Sequence, residues 1–190
     1  MNYETLKTKW LKSSKGLKAS EALRIFRLSK ISSPLGPLLL GSTDAGLSLI
    51  KYCTFEKANK SLEEISKIET FNFKFERDEF HLKAKKQLDE YFLKKRQKFD
   101  LKLDLIGTEF QKKVWKVLAE IPHGSVYSYS LQAERLGNPK AIRALASANG
   151  RNKISIVLPC HRVIGKDGDL RGYAGGLDKK KWLLDHEKTH

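Results

Sequence analysis

From Ala22 to Tyr52 the apolar residues alternate or come in short blocks, the pattern of strands rather than helices. ALRIFRLSKI is followed by GPLLLGS and GLSLIKY, the last two joined across Thr43-Asp44-Ala45-Gly46, whose composition suits a hairpin turn. Phe55–Glu69 has helical composition, and Phe71, Phe73 and Phe75 alternate again. Asp78–Gln97 predicts a long basic helix with Phe80, Ala84, Leu88, Tyr91 and Phe92 on its apolar face. Phe99, Leu101 and Leu103 return to period two. Together these elements predict an α+β domain over residues 21–105. Residues 1–20, basic at 7, 9, 12, 15 and 18, read as a flexible basic tail.

The pattern changes after Ile106-Gly107, and residues 106–190 form a second domain. Thr108 and Gln111 have the spacing of a capping box, ahead of a helix that buries Phe110, Val114, Trp115 and Leu118. Pro122-His123-Gly124 ends it. A short helix over Ser130–Leu136 meets Gly137, suited to a left-handed C-terminal position. Asn138 is a good N-cap and Pro139 a good first helical residue, so a second helix is expected over Lys140–Asn149. Stop and start within three residues predict a helix-turn-helix. Small residues at Ala141, Ala144 and Ala148 would let that second helix approach another surface closely. Ile154–Leu158 reads as a buried strand, Gly165–Gly176 as a wing-like hairpin, and Lys179–Glu187 as a closing helix. The expected architecture is therefore α+β in two domains, the second a winged helix-turn-helix.

Charge narrows the class of partner. Among 190 residues, 37 Lys and Arg face 22 Asp and Glu, a formal net charge of +15 spread over both halves. A sequence pI near 9.8 points to a polyanion, with nucleic acid first. The longest apolar stretch, around Pro34–Leu40, is far shorter than the ~18 residues of a membrane span. No hydrophobic block marks the Lys-studded N-terminus as a signal peptide. Cys53 and Cys160 are too few for a disulfide framework, which fits a reducing compartment, the cytoplasm.

The candidate chemistry lies in Pro159-Cys160-His161-Arg162-Val163. A free thiol is mostly protonated at neutral pH, so a cysteine nucleophile needs a base and a group that orients the base. His161 is the adjacent base, directly or through a water, provided that the chain turns at Cys160, as Pro159 favours. Glu187 on the closing helix is the candidate orienting carboxylate. By itself a Cys-His pair reads more often as a small buried residue beside a core histidine than as a nucleophile and its base. His186-Glu187-Lys188-Thr189-His190 matches H-E-x-x-H, but its second histidine ends the chain with no third ligand beyond it, so no metal site is expected.

PCHRV and its surroundings, from GTEFQKKVWKVL through WLLDHE, resemble the O6-alkylguanine-DNA alkyltransferases over about Gly107–Glu187. The N-terminal half matches that family only in size and element order, and the resemblance implies a ribonuclease-H-like fold there. It further implies irreversible transfer of an alkyl group from guanine O6 in duplex DNA, with O4-alkylthymine a further substrate, to Cys160, once per molecule and without a cofactor. By position, His161 takes the thiol proton, Glu187 pairs with it, and Tyr129 protonates the guanine ring. Arg143 corresponds to the arginine that fills the vacated base stack, and Ala141 and Ala144 to the close DNA contacts. Asn152 holds the turn before the active-site segment. Val163, Tyr173 and Ala174 belong to the substrate pocket. The implied partner is double-stranded DNA carrying alkylated bases, met by a monomer without membrane attachment.

Three positions depart from the family pattern. Lys153 stands where a proline is usual, Ala146 replaces a common glycine, and Ala174 replaces a common serine. Zinc-binding relatives use cysteines and histidines of the N-terminal half, where only Cys53 and His81 are present, so no zinc is expected. Two other classes fit parts of the sequence. A non-catalytic protein that binds alkylated bases has no acceptor cysteine, whereas Cys160 is present. A winged-helix transcription factor has no use for the set Cys160, His161 and Glu187.

Overall fold

The computed structural model describes residues 3–14 and 24–188. The chain divides into two compact units, Met1–Ile106 and Gly107–His190. The first is built on a four-stranded sheet of β1 (Arg24–Ile31), β2 (Leu38–Thr43), β3 (Gly46–Tyr52) and β4 (Phe71–Lys74), in the order β3-β2-β1-β4. The first three strands pair antiparallel, β2 and β3 across the short turn at Asp44-Ala45. β4 pairs parallel with β1 after the crossover helix α2 (Phe55–Ser66). Strands β2 and β3 are buried along their whole length, because helices cover both faces of the sheet. Phe26, Leu28, Leu39 and Leu49 pack with Leu62 and Ile65 of α2 on one face. Helix α3 (Glu79–Phe92) packs on β2 and β3, with Ala84, Leu88 and Tyr91 buried.

Three expectations in this unit are corrected. The basic tail expected over residues 1–20 includes an ordered helix, α1 (Tyr3–Ser14); residues 15–20 lie outside the described residues. Leu6 and Trp10, four residues apart, fall on one side of α1 and enter the core, with the Trp10 ring 4.8 Å from that of Phe73. Helix α3 stops at Phe92 rather than Gln97, because Lys94 adopts a left-handed conformation (φ 58°). The amides of Lys94 and Lys95 turn back onto the carbonyls of Tyr91 and Glu90, the closure a glycine more often provides. Leu103 forms a single bridge with Leu47 rather than a strand.

The second unit opens with α4 (Glu109–Ala119), closed by the Thr108–Gln111 capping box. Val114, Trp115 and Leu118 are buried as expected, but Phe110, in the first turn, is 37% exposed. Ser128 caps α5 (Tyr129–Arg135), and Gly137 follows with φ 75°. Asn138 makes no side-chain cap; Pro139–Ala141 form a 3-10 turn, and α6 (Ile142–Gly150) starts after it. Trp115 Nε1 donates to the Ala148 carbonyl, and Gln132 and Asn149 exchange amide hydrogen bonds of 2.7 and 3.2 Å. These contacts lock α4, α5 and α6 together. They also turn Ala148 inward, so the exposed part of the small-residue stripe is Ala144, with Ala141 half-buried.

Ile154–Leu158 is buried apart from half-buried Val157 but is not a strand: Ile156 has φ 73°, and the Leu158 amide closes a turn on the Ile154 carbonyl. Short β5 (Tyr127–Ser128) and β6 (Val163–Ile164) pair parallel, and α7 (Leu177–Glu187) closes the unit. No hairpin forms in the wing. It is a loop closed by the Gly165 amide on the Asp169 carbonyl and by the Arg171–Asp167 ion pair. Among the described residues no helix is long and apolar enough to cross a membrane. The second histidine of the H-E-x-x-H match, His190, lies outside the described residues.

Candidate active site

Asn152 organises the turn that delivers the cysteine. Its Oδ1 accepts from the Ile154 amide, and its Nδ2 donates to the Leu158 carbonyl (2.8 Å) and to Cys160 Sγ (3.3 Å). A thiolate accepts such a bond better than a thiol does, so this contact favours the charged form. After Pro159 the chain enters a 3-10 turn over Cys160–Arg162. The turn separates neighbours in sequence: Cys160, 9% exposed, lines a cavity, while His161 and Arg162 point to α7.

There Glu187 receives both. His161 Nε2 lies 2.8 Å from Oε1, Arg162 Nε donates to Oε2 (2.7 Å), and Arg162 Nη2 donates to Oε1 (3.0 Å). The remaining arm of Arg162 donates to the Ile121 carbonyl. Burial pushes the Glu187 carboxyl upward, but the hydrogen bonds from His161 and Arg162 outweigh it and hold the group well below the usual carboxylate range. Burial pushes His161 below its ordinary value, against the opposing pull of Glu187. At neutral pH the pair is therefore a carboxylate and a neutral imidazole, with Nε2–H donating to Glu187. The tautomer leaves the lone pair on Nδ1, which is buried and has no hydrogen-bond partner in the structure. That nitrogen is the free base of the site.

The cavity, about 820 Å³, is lined among others by Tyr129, Arg143, Cys160, Tyr173 and Ala174. Tyr129 is half-buried at the start of α5, and its hydroxyl donates to the Arg171 carbonyl at 3.4 Å. Burial first, then the nearby Cys160, push its phenol upward, so it remains a proton donor at neutral pH. Arg143 stands exposed on α6 and makes no ion pair among the described residues. The Tyr173 ring meets His161 edge-on, with centroids 6.4 Å apart. Ala146, on α6, also lines the cavity, whereas Ala141, Ala144 and Val163 do not. The Val163 amide donates to the Cys160 carbonyl, and its own carbonyl accepts from Lys180.

Cys160 and Tyr129 thus share one cavity, while His161, paired with Glu187, lies buried against Tyr173 of the cavity wall. Comparison with known proteins identifies the class of this site. Residues 109–189 match the family model described as 6-O-methylguanine DNA methyltransferase, DNA binding domain. Residues 26–105 match the model for the ribonuclease-like domain of the same enzyme. A methylated-DNA–protein-cysteine methyltransferase of Methanosarcina acetivorans is 48% identical over 82% of this chain and 94% of its own length. The chain belongs to this methyltransferase family. The Methanosarcina barkeri relative is 46% identical over 84% of this chain and 96% of its own length. A solved structure of Mycobacterium tuberculosis OGT in complex with DNA has 40% identity and a TM-score of 0.71, covering 85% of this chain and 92% of that one. The methyltransferase likeness thus extends into the N-terminal unit, where motif reading had only size and element order.

Two charged residues of this methyltransferase site escaped the sequence reading. Arg162 sat inside the motif, yet its grip on Glu187 joins residues 25 positions apart. Lys180 belongs to the run Lys179-Lys180-Lys181, which reads as a solvated face. Only helix phase distinguishes it, since Lys180, Leu183 and Glu187 form the buried stripe of α7.

Proposed function

We infer that this protein repairs alkylated DNA by transferring the alkyl group from O6 of guanine, and from O4 of thymine, to Cys160. The observation that carries the assignment is Cys160 and Tyr129 on one cavity, with the next residue, His161, paired with Glu187 through Nε2 and left free at Nδ1. The thiol gives its proton to His161 Nδ1 through a water, and Glu187 stabilises the resulting imidazolium. Sγ attacks the alkyl carbon, the carbon–O6 bond breaks, and the electron pair stays with guanine. Tyr129 donates a proton to the ring, so neutral guanine leaves; exchange with water restores the phenol and the imidazole. The thioether has no route back to a thiol, which makes each molecule a single-turnover reagent.

The target oxygen is covered inside a duplex, so the nucleotide must swing out, at a cost of a few kcal/mol. Arg143, on the cavity and without an ion pair among the described residues, fills the gap in the stack with its planar guanidinium. Ala141 and Ala144 let α6 lie close in the minor groove, and Asn152 keeps the cysteine segment in register. Tyr173 and Ala174 form the cavity wall, whereas Val163, expected there, lies behind it with its amide and carbonyl bonded to Cys160 and Lys180. The partner is double-stranded DNA bearing alkylated bases, bound by a monomer in the cytoplasm, where a free thiol stays reduced.

Incubation with duplex DNA containing O6-methylguanine, followed by intact mass and peptide mapping, tests the assignment. The expected result is one added methyl, on Cys160, and none in Cys160→Ala, which still binds the duplex. Binding with no change in mass would instead support a non-catalytic lesion binder.

A further inference from the structure

Lys180 is a buried ammonium to which the transfer reaction assigns no role. It is fully buried on α7, and its Nζ donates to two carbonyls at 2.6 Å: that of Val163 on β6 and that of Arg171 on the wing loop. The Arg171 carbonyl is also the acceptor of the Tyr129 hydroxyl, at the longer distance of 3.4 Å. We propose that Lys180 is a positioning residue that keeps the Tyr129 hydroxyl available to the substrate, through the carbonyl oxygen that the two side chains share. The proposal rests on the proton-donor role given to Tyr129 above.

A carbonyl oxygen has two lone pairs, and a charged donor is the stronger claimant. With one pair drawn to the ammonium, the oxygen is a weaker acceptor for the phenol, which fits the long bond observed. Tyr129 is thus held near its working place by a contact it can leave when a guanine ring enters. The second bond, to Val163, fixes the wing loop against β6, so the shared oxygen cannot follow the departing hydroxyl. Without the ammonium, the Arg171 carbonyl would hold the phenol proton more tightly and the loop would loosen. Other groups that sense Lys180 are Cys160, whose charge raises its proton affinity, and His161, whose proton affinity it lowers. On the wing, the Arg171 guanidinium is engaged with Asp167.

The test is a double-mutant cycle in single-turnover transfer from O6-methylguanine duplex, using the native chain, Lys180→Met, Tyr129→Phe and both together. Lys180→Met is expected to lower the saturating rate about tenfold while leaving duplex affinity unchanged, the signature of a lost positioning effect rather than lost binding. In the Tyr129→Phe background the same change should cost less than about twofold, because the effect passes through the phenol. An equal loss in both backgrounds, or a native rate in Lys180→Met, overturns the proposal and leaves the tyrosine's role standing. A native rate in Tyr129→Phe alone removes the tyrosine's role, and the proposal with it.

A second measurement avoids the buried variant. Burial lowers the Lys180 pKa to about 8. Between about pH 7 and 9, the ratio of the native rate to the Tyr129→Phe rate should therefore fall severalfold, since the titrations of Cys160 and His161 are common to both chains and cancel. A constant ratio overturns the proposal.

Discussion

Arg162 and His161 compete for one oxygen of Glu187: Oε1 lies 2.8 Å from His161 Nε2 and 3.0 Å from Arg162 Nη2. The carboxylate is thereby tied on both sides, and it orients the imidazole without any tendency to take the proton itself. A buried charge held this way is costly to disturb from either end. Glu187→Gln should lower stability by roughly 3–5 kcal/mol, because it leaves the Arg162 guanidinium uncompensated. It should also slow transfer more than duplex binding. Urea unfolding and single-turnover kinetics measure the two effects, and a variant of native stability would contradict this account of the pair.

Acid should destabilise the fold through its buried histidines. His81, on α3, is wholly buried, and burial pushes its pKa below the ordinary value against the pull of Asp78. His161 is lowered in the same direction. The unfolded chain then takes up these protons near pH 6.5 while the folded chain does not, so stability is full above about pH 6.5 and declines as pH falls below it. His81→Leu should flatten part of that slope in urea midpoints recorded across this range. By the same sign, the His161 base stays neutral below its ordinary pKa, and transfer should persist at pH values where an exposed histidine would already be protonated.

Arg143→Ala should slow transfer from duplex DNA about tenfold, equivalent to ~1.4 kcal/mol of extrusion energy. The isolated O6-alkylguanine base needs no extrusion, and its reaction should be unchanged. Comparable slowing on both substrates would remove the stacking role from this residue.

Trp10→Ala tests the ordered N-terminal helix. The indole is buried against Phe73 and donates to Asn59 Oδ1 at 3.1 Å. Truncation should cost about 3 kcal/mol of stability, the usual range for a large aromatic removed from a core. A loss near zero would return residues 1–20 to the status of a tail.

Duplex binding should weaken with added salt, with a log–log slope of about −0.9 for each phosphate neutralised. Arg143→Ala should reduce that slope if its guanidinium also meets the backbone. Fluorescence anisotropy at several salt concentrations reads both values.

Elements were legible in the sequence wherever a local signal governs them. The strands of GPLLLGS and GLSLIKY, the capping box at Thr108 and Gln111, and Gly137 between two helices all appear in the structure. Local signals misled where a contact from far along the chain decided the outcome. Trp10 reads as one aromatic in a lysine-rich stretch until the sheet offers Phe73 as a surface to bury it. Ile154–Leu158 has the composition of a buried strand, and it is buried, but Asn152 bends it with two side-chain hydrogen bonds. Nothing in apolar patterning records such a bend.

What the sequence by itself determined was a list of candidate groups, a thiol, an imidazole beside it and a carboxylate near the end of the chain, to which the family resemblance added the phenol of Tyr129. Side-chain chemistry and helix periodicity are properties of neighbouring residues, so they can be read from the order of letters. Tertiary structure alone decided that Cys160 lines the cavity while His161 reaches Glu187, that Arg162 and Glu187 close on each other, and that one lysine of three turns inward to two carbonyls. Those choices depend on which polar groups burial leaves in need of a partner, and that is settled only when distant segments meet.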